Sequence, residues 1–133
     1  MKTVILVSVI KLLNLLTVNN FRELDVWKKA VELATRIYKL TDDYPKQEMY
    51  GLTSQIRRCT VSISSNIAEG AGRRSRNEFR QFLNIAMGSC YELETQLTIS
   101  KNLDYIRVNN YDELIDLLTE IQKMIYALIK YLD

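Results

Sequence analysis

Six arginines lie between Tyr50 and Tyr91, and they are the side chains of this sequence best suited to bind another molecule. Only two acids, Glu69 and Glu78, share that stretch, so its charge balance is +4 (six minus two). A guanidinium group can bind phosphate through two parallel N–H donors, which favours arginine over lysine for such contacts. The pattern indicates a nucleic-acid-binding surface, for which the candidate residues are Arg57, Arg58, Arg73, Arg74, Arg76 and Arg80.

The same arginines have a second interpretation, as residues of solvated helix faces or of contacts between subunits. Residues 92–133 carry eight acidic side chains against four basic ones, a balance of −4. A basic half and an acidic half favour head-to-tail assembly, which is how rings close. Repetition around a ring would produce a strongly basic surface, although one chain has a net charge of only +2. RNA or DNA and another protein therefore both stay open as partners.

The aromatic residues give no support to sequence-specific reading of bases. The chain has eight tyrosines, but no RNA-binding motif or platform of stacked aromatic residues is recognisable. Tyr38, Tyr91 and Tyr126 fall near the predicted core seams, where tyrosine usually packs. We therefore expect any nucleic-acid binding to lack strong sequence specificity.

A polar cluster, Ser62, Asn66 and Glu69, precedes Gly70 near the end of a predicted helix. The spacing of four and three places its members on one helix face. Serine and asparagine are poor helix-interior residues, because their side chains compete for backbone hydrogen bonds. The favoured interpretation is a hydrogen-bonded group that sets helix register. The alternative is a ligand or partner site at the end of the helix, formed by Ser62, Asn66, Glu69 and Gly70.

The residue inventory argues against an enzyme. The chain contains no histidine, which removes the commonest general base and the commonest metal ligand. Glu92 and Glu94 are two residues apart and cannot face one another on a helix. Cys59 and Cys90 lie in apolar helical patterns, so we expect free, buried thiols in a reducing cytoplasm. The sequence predicts no catalytic residue, metal site, cofactor or small-molecule substrate.

Residues 1–20 form an apolar N-terminal extension whose status stays open. A signal peptide would explain Lys2 and the apolar run, but Lys11 interrupts the run and no small-residue cleavage site follows. A membrane span needs about 20 apolar residues, and this run is shorter. The third interpretation is an upstream extension, since the next helical pattern begins cleanly at Phe21. We expect no membrane association and assign residues 21–133 to the folded domain.

Four stretches of the domain repeat apolar residues at intervals of three and four, the period of a helix that packs on one face. The first begins at Asp25 and ends before Pro45, because the residue before proline avoids the helical region. Its predicted inward row is Trp27, Ala30, Val31, Ala34, Ile37, Tyr38 and Thr41. The second runs from Tyr50 to Glu69. Its predicted inward row is Leu52, Ile56, Cys59, Ile63, Asn66 and Ile67.

The third and fourth stretches carry longer, heptad-like seams. The third opens with a capping pair, Ser75 and Glu78, in which each residue satisfies a free amide of the other. Its inward row is Phe79, Phe82, Leu83, Ala86, Cys90, Leu93 and Leu97. After a loop at residues 103–110, Asn110 and Glu113 form a weaker capping pair. The fourth inward row is Leu114, Leu117, Leu118, Ile121, Ile125, Leu128 and Leu132.

The connections between these stretches are short, which makes sequential helices antiparallel neighbours. Each helix would have ~20 residues and a length of ~30 Å, so the four would match in length. The chain, at 133 residues, has the size of one domain. The predicted fold class is all-α, an antiparallel up-down-up-down four-helix bundle.

Three phrases carry a resemblance to a known family: FRELDVWKKA at residues 21–30, GLTSQIRR at residues 51–58 and SISSNIAEGAGR at residues 62–73. The chain resembles the bacterial four-helix-bundle proteins first noted in open reading frames within intervening sequences of large-subunit ribosomal RNA genes. The resemblance covers residues 21–131. Its most specific part is the third phrase, whereas the fourth helix is generic.

The resemblance implies a four-helix bundle that forms a ring-like homopentamer. It also implies kinship with the accessory protein of diversity-generating retroelements, a basic pentamer that binds nucleic acid and a reverse transcriptase. No enzymatic activity comes with the family. The partners expected on this ground are other copies of the chain and RNA or DNA. Residues 1–18 depart from the family pattern, because its members begin just before the first phrase.

Overall fold

A computed structural model describes residues 20–133, together with Thr3 and Leu6. Residues 20–133 contain helices and turns but no strand. Two short 3-10 turns, Phe21–Glu23 and Lys46–Glu48, precede and follow the first helix. The four α-helices are α1 (Asp25–Thr41), α2 (Leu52–Ala71), α3 (Arg76–Asn102) and α4 (Val108–Leu132).

Most of the apolar N-terminal extension lies outside the described residues, so the three interpretations of that segment stay predictions. Within the part of the chain that is described, no helix combines the length and apolar composition that crossing a bilayer requires. The described fold begins where Asn20 caps the first 3-10 turn, its Oδ1 accepting a hydrogen bond from the Arg22 N–H at 3.2 Å.

Two ion pairs between side chains show the relative direction of α1 and α4. Lys29 Nζ lies 3.1 Å from Glu120 Oε1. Two turns later in α1, Arg36 Nη2 lies 3.1 Å from Glu113 Oε2. Because the partner in α4 moves backwards along the chain as α1 advances, the two helices are antiparallel.

Two further ion pairs each join the start of one helix to the end of a neighbouring one, as expected for antiparallel neighbours. Near the start of α2, Arg57 contacts Asp42, the residue just past the end of α1. Near the start of α3, Arg80 contacts Asp133, just past the end of α4. Since α1 also packs against α4, the helices close into the four-helix bundle predicted from the sequence.

The core is formed by the inward faces of all four helices, and the seams predicted for α3 and α4 are confirmed. Every predicted inward residue of α4 is buried. In α3 only Phe82 is half-buried, and the other predicted residues are buried. The completely buried large side chains include Leu24, Leu33, Ile37, Ile56, Ile63, Ile67, Leu83, Leu93, Leu97 and Leu118.

The predicted inward face of α1 is partly wrong. Val31 and Tyr38 were placed inward, but they are 37% and 42% exposed. Val26 and Leu33 are completely buried in their place. Both rows have intervals of three and four, so periodicity alone cannot decide between two overlapping faces. The residues that the two rows share and that are buried are Ala30, Ile37 and Thr41.

The start of α3 follows the predicted cap, although the second half of the pair differs. Ser75 Oγ accepts a hydrogen bond from the Glu78 N–H at 3.1 Å. The Glu78 carboxylate was expected to accept from the Ser75 backbone N–H. Instead, the Ser75 hydroxyl donates to Glu78 Oε1 at 3.2 Å. The serine therefore satisfies one free N–H at the first turn of α3 and orients the glutamate beside it.

The predicted capping pair Asn110–Glu113 is wrong, because α4 begins earlier. Arg107 is the N-cap of α4 and makes no side-chain capping hydrogen bond. The chain leaves α3 through Asp104, which has the left-handed φ of 61° that aspartate tolerates better than most residues. Its neighbour Tyr105 donates from N to Ser100 O at 2.9 Å. This tight exit shortens the loop to residues 103–107.

The helices are also less uniform than expected. They contain 17, 20, 27 and 25 residues in order, rather than four matched lengths of ~20. Both long helices are in the second half of the chain. Because the exit from α3 is tight, residues 108–110, which were predicted to lie in the loop, belong to α4. The prediction of matched lengths is therefore wrong for α3 and α4.

At Gly70, α2 packs directly against α3. A Cβ atom at this position would lie 2.7 Å from Phe82 Cβ and 3.0 Å from Phe79 Cδ1. Real Cβ atoms do not approach so closely, and Phe82 Cβ cannot move without its backbone. Glycine is therefore required here by packing, since its φ is not positive.

We expect Gly70→Ala to lower the free energy of unfolding by about 1–3 kcal/mol, because the added methyl forces the helices apart. Gly88→Ala in α3 is the matched control, since its Cβ would meet no described atom within 4 Å. At that exposed helical position alanine should raise the free energy of unfolding by about 0.5–1 kcal/mol. Urea denaturation followed by circular dichroism measures both, and shifts of the same sign would contradict the packing argument.

Candidate nucleic-acid interface

The six candidate arginines do not form one surface on the subunit. Arg57 and Arg58 lie in the second turn of α2, whereas the other four follow its C-terminus. From Arg58 to the end of α2 the axial rise is about 20 Å (13 residues at 1.5 Å). The hypothesis of a single arginine surface is therefore wrong for one subunit, and each arginine has to be judged by its own contacts.

Arg57 binds the end of α1 and is occupied by that role. Its Nε donates to Thr41 Oγ1 at 2.9 Å, and its Nη2 donates to Asp42 Oδ1 at 2.9 Å. Nη2 also lies 3.4 Å from Tyr38 O, one of the last carbonyls of α1. The guanidinium lies 4.9 Å from the centre of the Tyr38 ring. Arg57 thus caps α1 and links it to α2, which leaves little of the group for phosphate.

Arg80 is likewise engaged within the chain. Its Nη1 lies 2.6 Å from Asp133 Oδ1, and its Nη2 donates to Asn77 Oδ1. The first contact joins the start of α3 to the end of α4. A phosphate would have to compete with a carboxylate for this guanidinium, so Arg80 is a weaker candidate than the sequence indicated.

Three arginines at the α2–α3 turn remain, and we call Arg73, Arg74 and Arg76 the arginine corner. All three residues are exposed. Arg73 lies 4.8 Å from the centre of the Phe82 ring, and Arg76 lies 5.4 Å from that of Tyr131. Within residues 20–133 no carboxylate lies within ion-pair distance of the corner. The guanidinium groups of Arg73 and Arg76 are therefore held by ring contacts, while the N–H donors of the corner stay available.

The arginine corner also lies at a helix N-terminus. Arg76 is the first residue of α3, where unpaired backbone N–H groups carry partial positive charge that favours anions. Glu78 is the one acid in the first turn, and its carboxylate accepts a hydrogen bond from Ser75. The corner therefore combines exposed guanidinium groups with a helix N-terminus, and both favour phosphate.

The predicted polar cluster is only partly confirmed. Ser62 Oγ lies 3.0 Å from Ser89 Oγ of α3. Asn66 Nδ2 donates to Ser62 O at 2.8 Å and to Ser62 Oγ at 3.0 Å. The Ser62–Ser89 bond joins α2 to α3, and the Asn66 bonds orient Ser62 within α2, which supports the register interpretation for two of the four residues. Glu69 is exposed and outside the cluster, and Gly70 serves helix packing.

A cysteine extends the polar cluster towards the start of α2. Cys59 Sγ lies 3.0 Å from Ser89 O and 3.3 Å from Glu92 Oε1, so its single proton is shared between two acceptors. Burial raises the pKa of the Cys59 thiol, and the bond to Glu92 raises it further. Burial together with the charge of Glu94 raises the pKa of Cys90 to about 12. Both cysteines are free and buried, as predicted.

A groove between α2 and α3 contains functional groups that the sequence gave no reason to combine. We call it the α2–α3 groove, and the residues that matter here are Tyr50, Ser54, Arg58, Cys59, Glu92 and Gln96. Members of the set are up to 46 positions apart (50 to 96), so no local motif joins them. The available signal was the bulky Tyr50 immediately before Gly51 and the start of α2.

The prediction that three tyrosines pack in the core is wrong. Tyr38, Tyr91 and Tyr126 are between 42% and 58% exposed, instead of packing in the core. Tyr50 is 97% exposed, beside Arg58. Aromatic surface next to arginine is therefore present, although the sequence showed no platform.

Residues 20–133 bring no group of three or more candidate metal ligands together.

Comparison with known proteins agrees with this architecture. A sequence model of the 23S rRNA-intervening sequence proteins matches residues 22–127, which is 106 of the 133 residues. The chain belongs to the 23S rRNA-intervening sequence protein family. The resemblance stated on the three sequence phrases is thereby confirmed. No curated protein matches the chain.

The intervening sequence protein is also similar to a solved structure. This is the crystal structure of a protein with unknown function from the S23 ribosomal protein family of Bacteroides thetaiotaomicron VPI-5482. The two share 32% sequence identity with a TM-score of 0.73, over 79% of this chain and 95% of the other. The shared part is the helical bundle, and the name assigns no activity.

We expect Cys59 and Cys90 of the native protein to react with Ellman's reagent at pH 8 at least about a hundredfold more slowly than in urea, because the reagent reaches them only when the bundle opens. The unfolded thiols ionise near pH 8.5 whereas the native ones stay protonated, so the free energy of unfolding should fall as the pH rises above about 8.5. Replacing both cysteines by alanine should remove that part of the slope. If the two cysteines of the native protein reacted as fast as in urea, they would not be buried.

Proposed function

We propose that this intervening sequence protein is a non-enzymatic, oligomeric protein that binds RNA or DNA through the arginine corner without strong sequence specificity. The observation that carries the proposal is the placement of Arg73, Arg74 and Arg76. They are three exposed guanidinium groups at a helix N-terminus, with no ion-pair partner among residues 20–133. Such a group suits a phosphate backbone, which presents regularly spaced anions.

The contacts of the corner support backbone binding over base reading. Arg73 and Arg76 lie over aromatic rings of their own chain, which restricts the side chains before any ligand arrives. A restricted side chain loses less conformational entropy on binding. The corner has no exposed amide side chain between its arginines to distinguish base edges. Affinity should therefore come from charge and depend steeply on salt.

Assembly into a homopentamer is the second part of the proposal. Val31 and Tyr38 of α1 and Val61 of α2 are exposed apolar side chains, and the first two line a shallow apolar groove with Ala34. Burial of this surface by another copy would remove it from water. The acidic second half of the chain and the basic arginine corner favour head-to-tail contacts, and a ring would repeat the corner around one face.

A protein-assembly role is the alternative function. The observation that favours it is the same exposed apolar surface, which a different protein could cover instead of a second copy. In that case the oligomer would act as an adaptor, and the arginine corner would contact acidic groups of the partner. Free, buried thiols fit a cytoplasmic location for either function.

Replacing Arg73, Arg74 and Arg76 together by glutamine should weaken binding to a structured RNA by at least about tenfold at moderate salt, and should reduce the slope of log affinity against log salt by about 2–3. Fluorescence anisotropy across a salt series measures both. Replacing the exposed lysines Lys28, Lys39 and Lys123 by glutamine removes the same charge elsewhere and should change little. If the two triple variants behave alike, the corner is not the contact surface.

The purified protein should have the mass of about five chains in light scattering, because the basic and acidic halves favour a closed ring. Tyr38→Glu should dissociate the assembly by placing a charge on the exposed apolar surface of α1. Val108→Glu, at an exposed apolar position at the start of α4, is the control and should leave the mass unchanged. A native monomer would contradict the assembly.

A further inference from the structure

The α2–α3 groove offers a flat aromatic surface that nothing in the described chain covers. Tyr50 precedes the N-cap residue Gly51 and is 97% exposed, which is unusual for a side chain of its size. It takes part in neither of the ring pairs found among the described residues. An exposed ring held by a backbone at a helix start is suited to stack on a planar ligand, and nucleobases of any kind stack in this way.

The far wall of the groove carries two polar side chains one helical turn apart. Glu92 and Gln96 lie four positions apart on α3, so their side chains share a face. Glu92 is exposed, and one of its oxygens accepts the proton of Cys59, which fixes where the carboxylate lies. An ionised carboxylate only accepts hydrogen bonds, so this wall selects a ligand edge that carries N–H donors.

Gln96 is the second polar side chain on this wall of the groove. The residue is 94% buried (6% exposed), and its Oε1 has no hydrogen-bond partner among the described residues. Buried amide oxygens are nearly always paired, so an unpaired one calls for an explanation. The amide lines the groove, and a half-turn about its last bond exchanges oxygen and nitrogen. In that orientation the oxygen would face the groove, where a ligand N–H or O–H could donate to it.

The near wall supplies positive charge for a phosphate. Arg58 follows the structural Arg57 by one residue, and therefore points about 100° away from it around α2. Its side chain is exposed and lines the groove, without an ion pair in residues 20–133. The first turn of α2 contains no acidic residue, and its N-cap Gly51 offers no side-chain cap. The Leu52 N–H at the start of α2 already lies 3.4 Å from Glu48 Oε1, so the positive charge offered to a phosphate is that of Arg58.

We propose that the α2–α3 groove binds an unpaired guanine of a single-stranded nucleic acid, with the base on Tyr50, its donor edge on Glu92 and Gln96, and its phosphate on Arg58. The Watson–Crick edge of guanine presents two adjacent donors, N1–H and N2–H, that match the two oxygens of a carboxylate. Uracil presents one donor between two acceptors, which would oppose the carboxylate. Adenine and cytosine each place a ring-nitrogen acceptor beside their amino group.

This inference rests on the proposed function, because it assumes that the protein binds a nucleic-acid strand. The groove is nevertheless a separate site from the arginine corner. The two lie towards opposite ends of α2, about 20 Å apart along its axis. The corner would supply salt-dependent affinity for any sequence. The groove would add a modest preference for one unpaired base, so overall specificity stays weak. A single chain could hold a strand at both places only if the strand followed α2.

The test compares two nine-nucleotide RNAs, one of uridines only and one with a central guanosine, by anisotropy with the full-length protein. We expect the guanosine to tighten binding about fivefold to thirtyfold, the effect of one paired base edge. Glu92→Gln should abolish this preference while leaving the uridine affinity unchanged or higher, because glutamine keeps the acceptor for Cys59 but opposes a donor edge. Asp116→Asn, an exposed acid of α4, should retain the preference.

The ring contact has its own pair of variants. Tyr50→Ala should reduce affinity for the guanosine RNA about fivefold or more, since the base loses its stacking surface. Tyr126→Ala removes a tyrosine that is 57% exposed on α4 and should have no such effect. Equal binding of the two RNAs by the native protein would overturn the proposal, and so would an equal gain with adenosine or cytidine in the central position.

A free nucleotide separates failure of the groove from failure of strand binding. Guanosine monophosphate added to the protein should shift the side-chain amide resonances of Gln96 in a nitrogen–proton NMR spectrum, and Glu92→Gln should abolish the shift. If the nucleotide binds in this way but neither RNA does, the groove stands and the proposed function fails. If the RNAs bind through the arginine corner but neither nucleotide nor guanosine has an effect, the groove proposal is wrong.

Discussion

The close contact between α2 and α3 is the constraint on which the rest of the structure depends. Gly70 lets the backbone of α2 approach Phe79 and Phe82 at one end, and the bond between Ser62 and Ser89 holds the register nearer the middle. Because the approach is tight, the turn between the helices is short and projects its arginines outwards. The same pair of helices forms both walls of the α2–α3 groove. Neither candidate site would exist with this pair separated.

Sequence periodicity was sufficient where a helix has one continuous apolar seam. The rows of α3 and α4 leave a single choice of inward face, and nearly all of their residues are buried. In α1 two overlapping rows satisfied the same spacing, and the packing of Leu33 against the other helices decided between them. The start of α4 was missed for a different reason. The left-handed Asp104 ends α3 abruptly, and no residue type announces that geometry.

The sequence indicated which residues could form a binding site, but not how the fold arranges them. A count of charges singled out the segment around α2 and α3, and it named the corner residues together with Arg57, Arg58 and Arg80. It could not separate Arg57, which caps α1, from Arg58, which has no ion pair among residues 20–133, because the difference lies in the rotation between neighbours on a helix. The groove was beyond reach, since Tyr50, Glu92 and Gln96 meet only after α3 folds back along α2.

The groups that hold this bundle together and the groups that face outwards overlap very little. Arg57, Ser89 and Gly70 contact other parts of the chain, whereas Arg74 has no ion pair within residues 20–133. Exchanging an outward residue therefore leaves the folding equilibrium almost untouched. In an evolving lineage, the ligand preference of such a bundle is free to drift while its core stays the same. Two proteins could share this architecture in full and still differ in what they hold.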